Sequence, residues 1–167
     1  MDIYIDGASI GNPGDSGIGV IFCEGKETLK NFSKFIGKQT NNFAEYSALI
    51  FALQEALVMD VKSVTVYSDS ELLCKQIKKE YKVRSENIKY LFEQAMGLIR
   101  GFQHFKIIQI PREQNKGADR LAGLAVKNKK FQNRPDSCPG VSPGRKVRAL
   151  KDSAAANNRH SGTQLFF

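Results

Sequence analysis

The chain has 167 residues, 41% of them hydrophobic, a formal charge of +8 and a pI near 9.4, which suits one compact domain with a tail and favours an acidic partner, nucleic acid foremost. Cys23, Cys74 and Cys138 are an odd, widely spaced set with no CxxC pair, which argues against a disulfide framework and a zinc site and fits a reducing compartment. No apolar run approaches the ~20 residues needed to span a bilayer, and no basic or apolar leader precedes the first strand pattern, so the chain reads as cytoplasmic with no membrane association.

The first stretch, Asp2 to Gly14, reads as a short apolar strand (Ile3, Tyr4, Ile5) that carries Asp6 at its C-terminal end. A reversal built from Gly11, Asn12, Pro13 and Gly14 follows. Gly17 to Cys23 is a β-rich run, Glu24-Gly25-Lys26 a tight hairpin connection, and Thr28 to Ile36 a partner strand with imperfect alternation. Three strands joined by short links predict an antiparallel meander.

Thr40-Asn41-Asn42 opens the first helix, with Asn42 as N-cap and Glu45 where a capping-box acid would stand. Ala48, Leu49, Ala52, Leu53, Ala56 and Leu57 then make a 3.6-period stripe. Val64 to Tyr67 is a β-branched strand ending in Ser68-Asp69-Ser70, a cap signal for a helix through Leu72, Leu73 and Ile77. A short basic link from Glu80 to Ser85 leads to a third helical stripe, Ile88, Leu91, Phe92, Ala95, Leu98 and Ile99, closed by Gly101. Phe105 to Ile110 is the last strand, stopped by Pro111. Asn115 caps a final helix with Ala118, Leu121, Ala122 and Ala125 on one face. The order β-β-β-α-β-α-α-β-α predicts a mixed sheet with helices on both faces. From Phe131 onward the apolar period stops. That segment carries three of the five Pro, six Lys/Arg and only two acids, and reads as a disordered basic tail (131–167) behind a domain of residues 1–130.

Four acids recur at element ends: Asp6 after the first strand, Glu45 in the first helical turn, Asp69 after the fourth strand, and Asp119 at the start of the last helix. Each has a local explanation in a turn, a capping box, a cap or a helix dipole. Together they point elsewhere. The first and fourth strands are expected to be parallel neighbours, which sets Asp6 beside Asp69, while the two helix starts bring in Glu45 and Asp119. Clustered carboxylates repel unless cations neutralise them, and an all-oxygen set suits magnesium or manganese. Two such ions about 3.5–4 Å apart clamp the attacking and leaving oxygens of a phosphodiester displacement.

Asp6-Gly-Ala-Ser-Ile-Gly-Asn-Pro-Gly, Thr40-Asn-Asn-Phe-Ala-Glu45-Tyr, Ser68-Asp69-Ser70 and Asn115-Lys-Gly-Ala-Asp119 resemble, in order and over about residues 1–130, the motifs of type 1 ribonuclease H in a minimal form. The resemblance implies the ribonuclease H-like α/β fold: a five-stranded mixed sheet, its second strand antiparallel to the rest, flanked by helices on both faces. It implies an endonuclease that cleaves the RNA strand of RNA–DNA hybrids, leaving 5′-phosphate and 3′-hydroxyl ends, and the chain is expected to act as a monomer. Asp6, Glu45, Asp69 and Asp119 would be catalytic and would hold two Mg2+ ions, with Mn2+ an alternative. Gly11, Asn12, Asn41, Asn42 and Ser70 would contact the nucleic acid, Ser70 through a DNA-strand phosphate.

The chain departs from many family members in three ways. The loop before the last acid, Pro111-Arg-Glu-Gln-Asn-Lys-Gly117, holds no His, and Arg112, Glu113 or Lys116 would have to serve there. His104 reads as a structural or surface residue. No Trp-bearing basic handle lies between the second and third helices, only Lys78-Lys79-Glu-Tyr-Lys82-Val-Arg84, and the tail matches no family segment. The rival readings are a non-catalytic nucleic-acid-binding protein, another nuclease on the same fold, and a domain of a larger polyprotein.

Overall fold

A computed structural model describes residues 1–128. In them the chain runs β1 (Asp2–Gly11), β2 (Gly14–Glu24), β3 (Glu27–Gln39), α1 (Asn41–Val58), β4 (Ser63–Ser68), α2 (Glu71–Ile77), α3 (Glu86–Ile99), β5 (His104–Gln109), a 3-10 turn (Arg112–Gln114) and α4 (Lys116–Lys127). The element order is the one that the hydrophobic periods predict. The tail reading for 131–167 lies outside the described residues.

The sheet order is β3-β2-β1-β4-β5. β2 is antiparallel to both of its neighbours, whereas β1, β4 and β5 run parallel, so β1 is central and flanked by β4 as expected. Two-residue loops close both hairpins: Asn12-Pro13 between Gly11 and Gly14, and Gly25-Lys26 between Glu24 and Glu27. Gly25 takes φ +60°, which the tight turn needs and a side chain would resist. Register shifts at Ser16/Gly17 and Phe22/Cys23 account for the imperfect alternation along the β2–β3 pair.

Two expectations need correction. β1 does not end near Asp6: it continues to Gly11 in an unbroken ladder with β2. Its parallel pairing with β4 does stop at Tyr4↔Tyr67, so Asp6 sits mid-strand but just past the point where β1 loses that neighbour. The second correction concerns α1. Its N-cap is Thr40, whose Oγ1 accepts from the Phe43 amide 3.3 Å away, and not Asn42. The capping-box role for Glu45 therefore lapses.

Side chains alternate along β1, so Ile3, Ile5 and Gly7 share one face while Tyr4, Asp6 and Ala8 share the other. The first face carries the main core: Ile3, Ile5, Val20, Phe22, Leu49, Leu53, Val66 and Leu73 are at most 1% exposed and pack with α1, α2 and α3. Burying each such side chain contributes on the order of 1.5–3 kcal/mol. On the opposite face α4 lies directly on glycine. A Cβ on Gly19 would stand 2.1 Å from the Ala118 carbonyl oxygen, and one on Gly17 would stand 2.5 Å from Ala125 Cβ. Ala118, Ala122 and Ala125 are buried against this strip. Small residues on both partners bring the helix backbone within contact of the strand.

Candidate active site

Each acid is delivered by a different element. Asp6 comes from the middle of β1 on the α4 face, Asp69 from the residue after β4, Glu45 from the first turns of α1 and Asp119 from the fourth residue of α4. Gly7 lets α1 come close enough for this: a Cβ there would stand 2.2 Å from the Glu45 amide nitrogen and 2.6 Å from the Ala44 carbonyl oxygen. A larger residue at position 7 would push Glu45 out of reach of Asp6. The four acids line one polar cleft of about 360 Å³, together with Gly7, Ala8, Ser9, Asn41, Ser70 and Arg112.

The environment within the cleft is uneven. Asp6 is 5% exposed and Glu45 6%, whereas the Asp119 side chain is 38% exposed. Burial, then the charges of Asp69 and Asp119, push Asp6 up to about 7. Burial, then Asp6 and Asp69, raise Glu45 well above the usual carboxylate range. The Gly7 amide and the Arg112 guanidinium oppose both shifts without cancelling them. Glu45 Oε2 is buried with no hydrogen-bond partner. The remaining two acids are occupied. Arg112 Nη2 donates to Asp119 Oδ1 at 2.6 Å, and Asn115 Nδ2 donates to Asp69 Oδ1 at 2.7 Å.

Among the described residues, no three His, Cys, Asp or Glu side chains already have their donor atoms gathered for a cation. The donor chemistry nevertheless fits one. The set is oxygen-only, Asp6 and Glu45 are buried where ionisation is costly without a countercharge, and an orphaned Glu45 oxygen lacks any protein donor. These are the properties of a hard divalent-cation site at which Asp119 would turn from Arg112, while Asp69 would bind through the carboxylate oxygen that Asn115 does not hold.

The candidate nucleic-acid residues are distributed around this cleft. Asn41 and Ser70 line it, and Ser70 also caps α2 by accepting from the Leu73 amide at 3.3 Å. Asn42 instead faces an adjacent groove of about 520 Å³ between α2 and the start of α3, shared with Tyr81, Lys82 and Arg84 of the basic link. Gly11 and Asn12 sit on the exposed β1–β2 hairpin tip, where Asn12 Oδ1 accepts from the Asn41 amide at 3.2 Å and so ties the hairpin to the start of α1. His104 is exposed at the far end of β5. Asn115 is a site residue that sequence reasoning missed. It occupies the N-cap position of α4, but its side chain makes no capping bond and turns inward. Its place at the head of the Asn115-Lys-Gly-Ala-Asp119 motif is the one local signal, but the residue type reads as a cap and its actual partners are supplied by β1 and by the exit of β4.

Comparison with known proteins agrees with this fold. Residues 4–125 match the family model described as reverse transcriptase-like. The chain is 35% identical over 126 residues to the bifunctional protein Rv2228c of Mycobacterium tuberculosis, covering 74% of this chain and 35% of that protein. It is also 35% identical over 124 residues to ribonuclease HI of Halobacterium salinarum, covering 74% of this chain and 62% of that one. The chain thus spans about a third of the mycobacterial relative and under two thirds of the archaeal one. The Halobacterium RNase H1 crystal structure superposes with a TM-score of 0.74 at 34% identity, over 76% of this chain and 97% of that chain. The structure of LC11-RNase H1 in complex with an RNA/DNA hybrid superposes with a TM-score of 0.72 at 38% identity, over 77% and 98%.

Proposed function

The chain belongs to the ribonuclease H family, and on that premise we propose that it is a metal-dependent endoribonuclease that hydrolyses the RNA strand of RNA–DNA hybrids, leaving 5′-phosphate and 3′-hydroxyl ends. The observation that carries the reading is the convergence of Asp6, Glu45, Asp69 and Asp119, from four elements, on one open cleft with two of them buried. A structural role does not account for that. Burying carboxylates beside one another costs stability unless something else repays it.

Asp6, Glu45, Asp69 and Asp119 would hold two Mg2+ ions, with Mn2+ as substitute. When bound, the ions supply activation of the attacking water and stabilisation of the leaving 3′ oxygen. The protein's own groups then have distinct tasks. Asp6 and Glu45, poorly hydrated where they lie, must shed their protons before the cleft can load, which ties activity to pH. Arg112, exposed on the loop where many family members carry His, pairs with Asp119 and faces the cleft. It would transfer to a phosphate oxygen once Asp119 is engaged. Asn41 and Ser70 would contact the strands at the cleft, and Gly11 and Asn12 would meet the backbone at the hairpin tip. Asn42 and the link residues Tyr81, Lys82 and Arg84 would seat the DNA strand in the adjoining groove, in place of a longer basic handle. The hybrid is told from a DNA duplex by the 2′-hydroxyls of its RNA strand, which neutral polar groups such as Asn12 and Asn41 would read in the wide minor groove. We read the enzyme as a cytoplasmic monomer.

The test is cleavage of a strand-labelled hybrid in Mg2+ and then in EDTA, beside matched RNA–RNA and DNA–DNA duplexes. Metal-dependent loss of the RNA strand in the hybrid is the expected result. Binding without cleavage in either Mg2+ or Mn2+ would make the protein a non-catalytic nucleic-acid binder.

A further inference from the structure

Asn115 is 1% exposed, and its Nδ2 donates both to the Ile5 carbonyl at 2.9 Å and to Asp69 Oδ1 at 2.7 Å. Both partners are acceptors, so the amide can sit only one way round. Its own Oδ1 is buried with no partner. The position forgoes stability in two respects. An Asn at an N-cap normally stabilises the helix by accepting a helix amide, as Thr40 and Ser70 do here, and an orphaned buried oxygen is destabilising. What the residue gains instead is a set of connections among three acid-bearing elements. Ile5 precedes Asp6 and lies one residue past the last β1–β4 pair. Asp69 is held directly. The Asn115 carbonyl accepts the Asp119 amide at 3.0 Å as the ordinary first bond of α4, so the residue whose side chain holds β1 and Asp69 also begins the turn that carries Asp119.

We propose that Asn115 is a positioning residue for the cation site: its amide aims the Asp69 carboxylate and fixes α4 to β1, setting where Asp69 and Asp119 meet. The inference rests on the functional reading above. A neutral amide suits the task because it orients one carboxylate oxygen without neutralising the carboxylate, so the other stays available and the negative charge stays undiminished. A Lys or Arg there would compete with the cation, and a Ser or Thr has one donor for two acceptors.

The test compares wild type with Asn115→Ala and the near-isosteric Asn115→Asp in three measurements: Mn2+ binding to the substrate-free protein by calorimetry, Mg2+-dependent hybrid cleavage resolved into kcat and KM, and thermal melting in EDTA. Both variants should lose about 10- to 100-fold in cation affinity and a similar factor in kcat. The KM for the hybrid should stay within about threefold, since the strand contacts are untouched. Asn115→Asp should do no better than Asn115→Ala, because shape without donors cannot hold Asp69. Unchanged cation affinity in a folded variant overturns the proposal, whether or not the melting temperature falls. Failure of both variants to fold also overturns it, by making Asn115 a scaffold residue. A wild type that neither binds Mn2+ nor cleaves the hybrid refutes the functional reading itself, and the inference with it.

Discussion

Replacing Asp6 with Asn should stabilise the protein at neutral pH when divalent cations are absent, and abolish its stabilisation when they are present. The buried Asp6 carboxyl titrates near 7 in the folded chain against an ordinary 3.8. The folded state therefore binds that proton more tightly than the unfolded state does. Stability from this group is intact below pH 3.8 and is lost as the pH rises through about 7. At ~1.36 kcal/mol per pH unit, the difference sets a ceiling of about 4 kcal/mol. Water entry and rearrangement of Arg112 should leave about 1–3 kcal/mol of it. Urea denaturation in EDTA across pH 4–8 measures the quantity directly. The gap in favour of Asp6→Asn should be smallest near pH 4 and should widen up to about pH 7–8. Adding Mg2+ should then raise the wild type alone, by about 2.7 kcal/mol at 100 times its dissociation constant. If Asp6→Asn is no more stable than wild type at pH 8 without cations, the carboxylate cluster is not under electrostatic strain and the argument for a cation site loses its physical basis.

Asp69→Asn keeps the shape and can still accept from Asn115, yet on the proposed function it should lower hybrid cleavage by well over tenfold, because the loss of a metal ligand would cost several kcal/mol of barrier; single-turnover assays on labelled hybrid would show it. Gly7→Ala should destabilise the fold by about 1–3 kcal/mol in urea, since its Cβ would overlap the backbone of α1, and should reduce cleavage further than its stability loss explains by displacing Glu45. Arg112→Ala removes a charge that holds down Asp6 and Glu45, so both acids should titrate higher and the acid limb of the pH–rate profile should move to higher pH. An unmoved limb would place Arg112 outside the electrostatics of the cleft.

Much of this molecule is legible along the chain because its periods are unmixed. The α1 stripe from Ala48 to Leu57 and the α3 stripe from Ile88 to Ile99 admit one reading, and strands alternating with helices imply the parallel β1–β4 pair that sets Asp6 beside Asp69. The second half of β1 is not legible in that way. Gly7-Ala-Ser-Ile-Gly11 has little strand propensity and is extended only because each residue pairs with β2 across the hairpin. The start of α1 is ambiguous for another reason. Thr40, Asn41 and Asn42 are all competent N-caps, and the choice falls to Thr40 because β3 runs on to Gln39 and leaves Asn41 already helical. Asn115 is the most instructive case. Its type and position are those of a cap, and only the arrival of Ile5, 110 residues away in sequence, shows that the amide is needed elsewhere.

The glycine strip beneath α4 has a consequence for how this protein can vary. Asp119 holds its place because the backbone of α4 rests on Gly17 and Gly19, with Ala118, Ala122 and Ala125 filling the seam. None of these five residues lines the acid cleft. Yet one added methyl group at Gly17 or Gly19 would lift the helix and carry the fourth carboxylate out of register. A saturation-mutagenesis map would therefore show intolerance well behind the acid cleft, at residues with no functional group, and drift along this lineage should be slowest where the side chains are smallest.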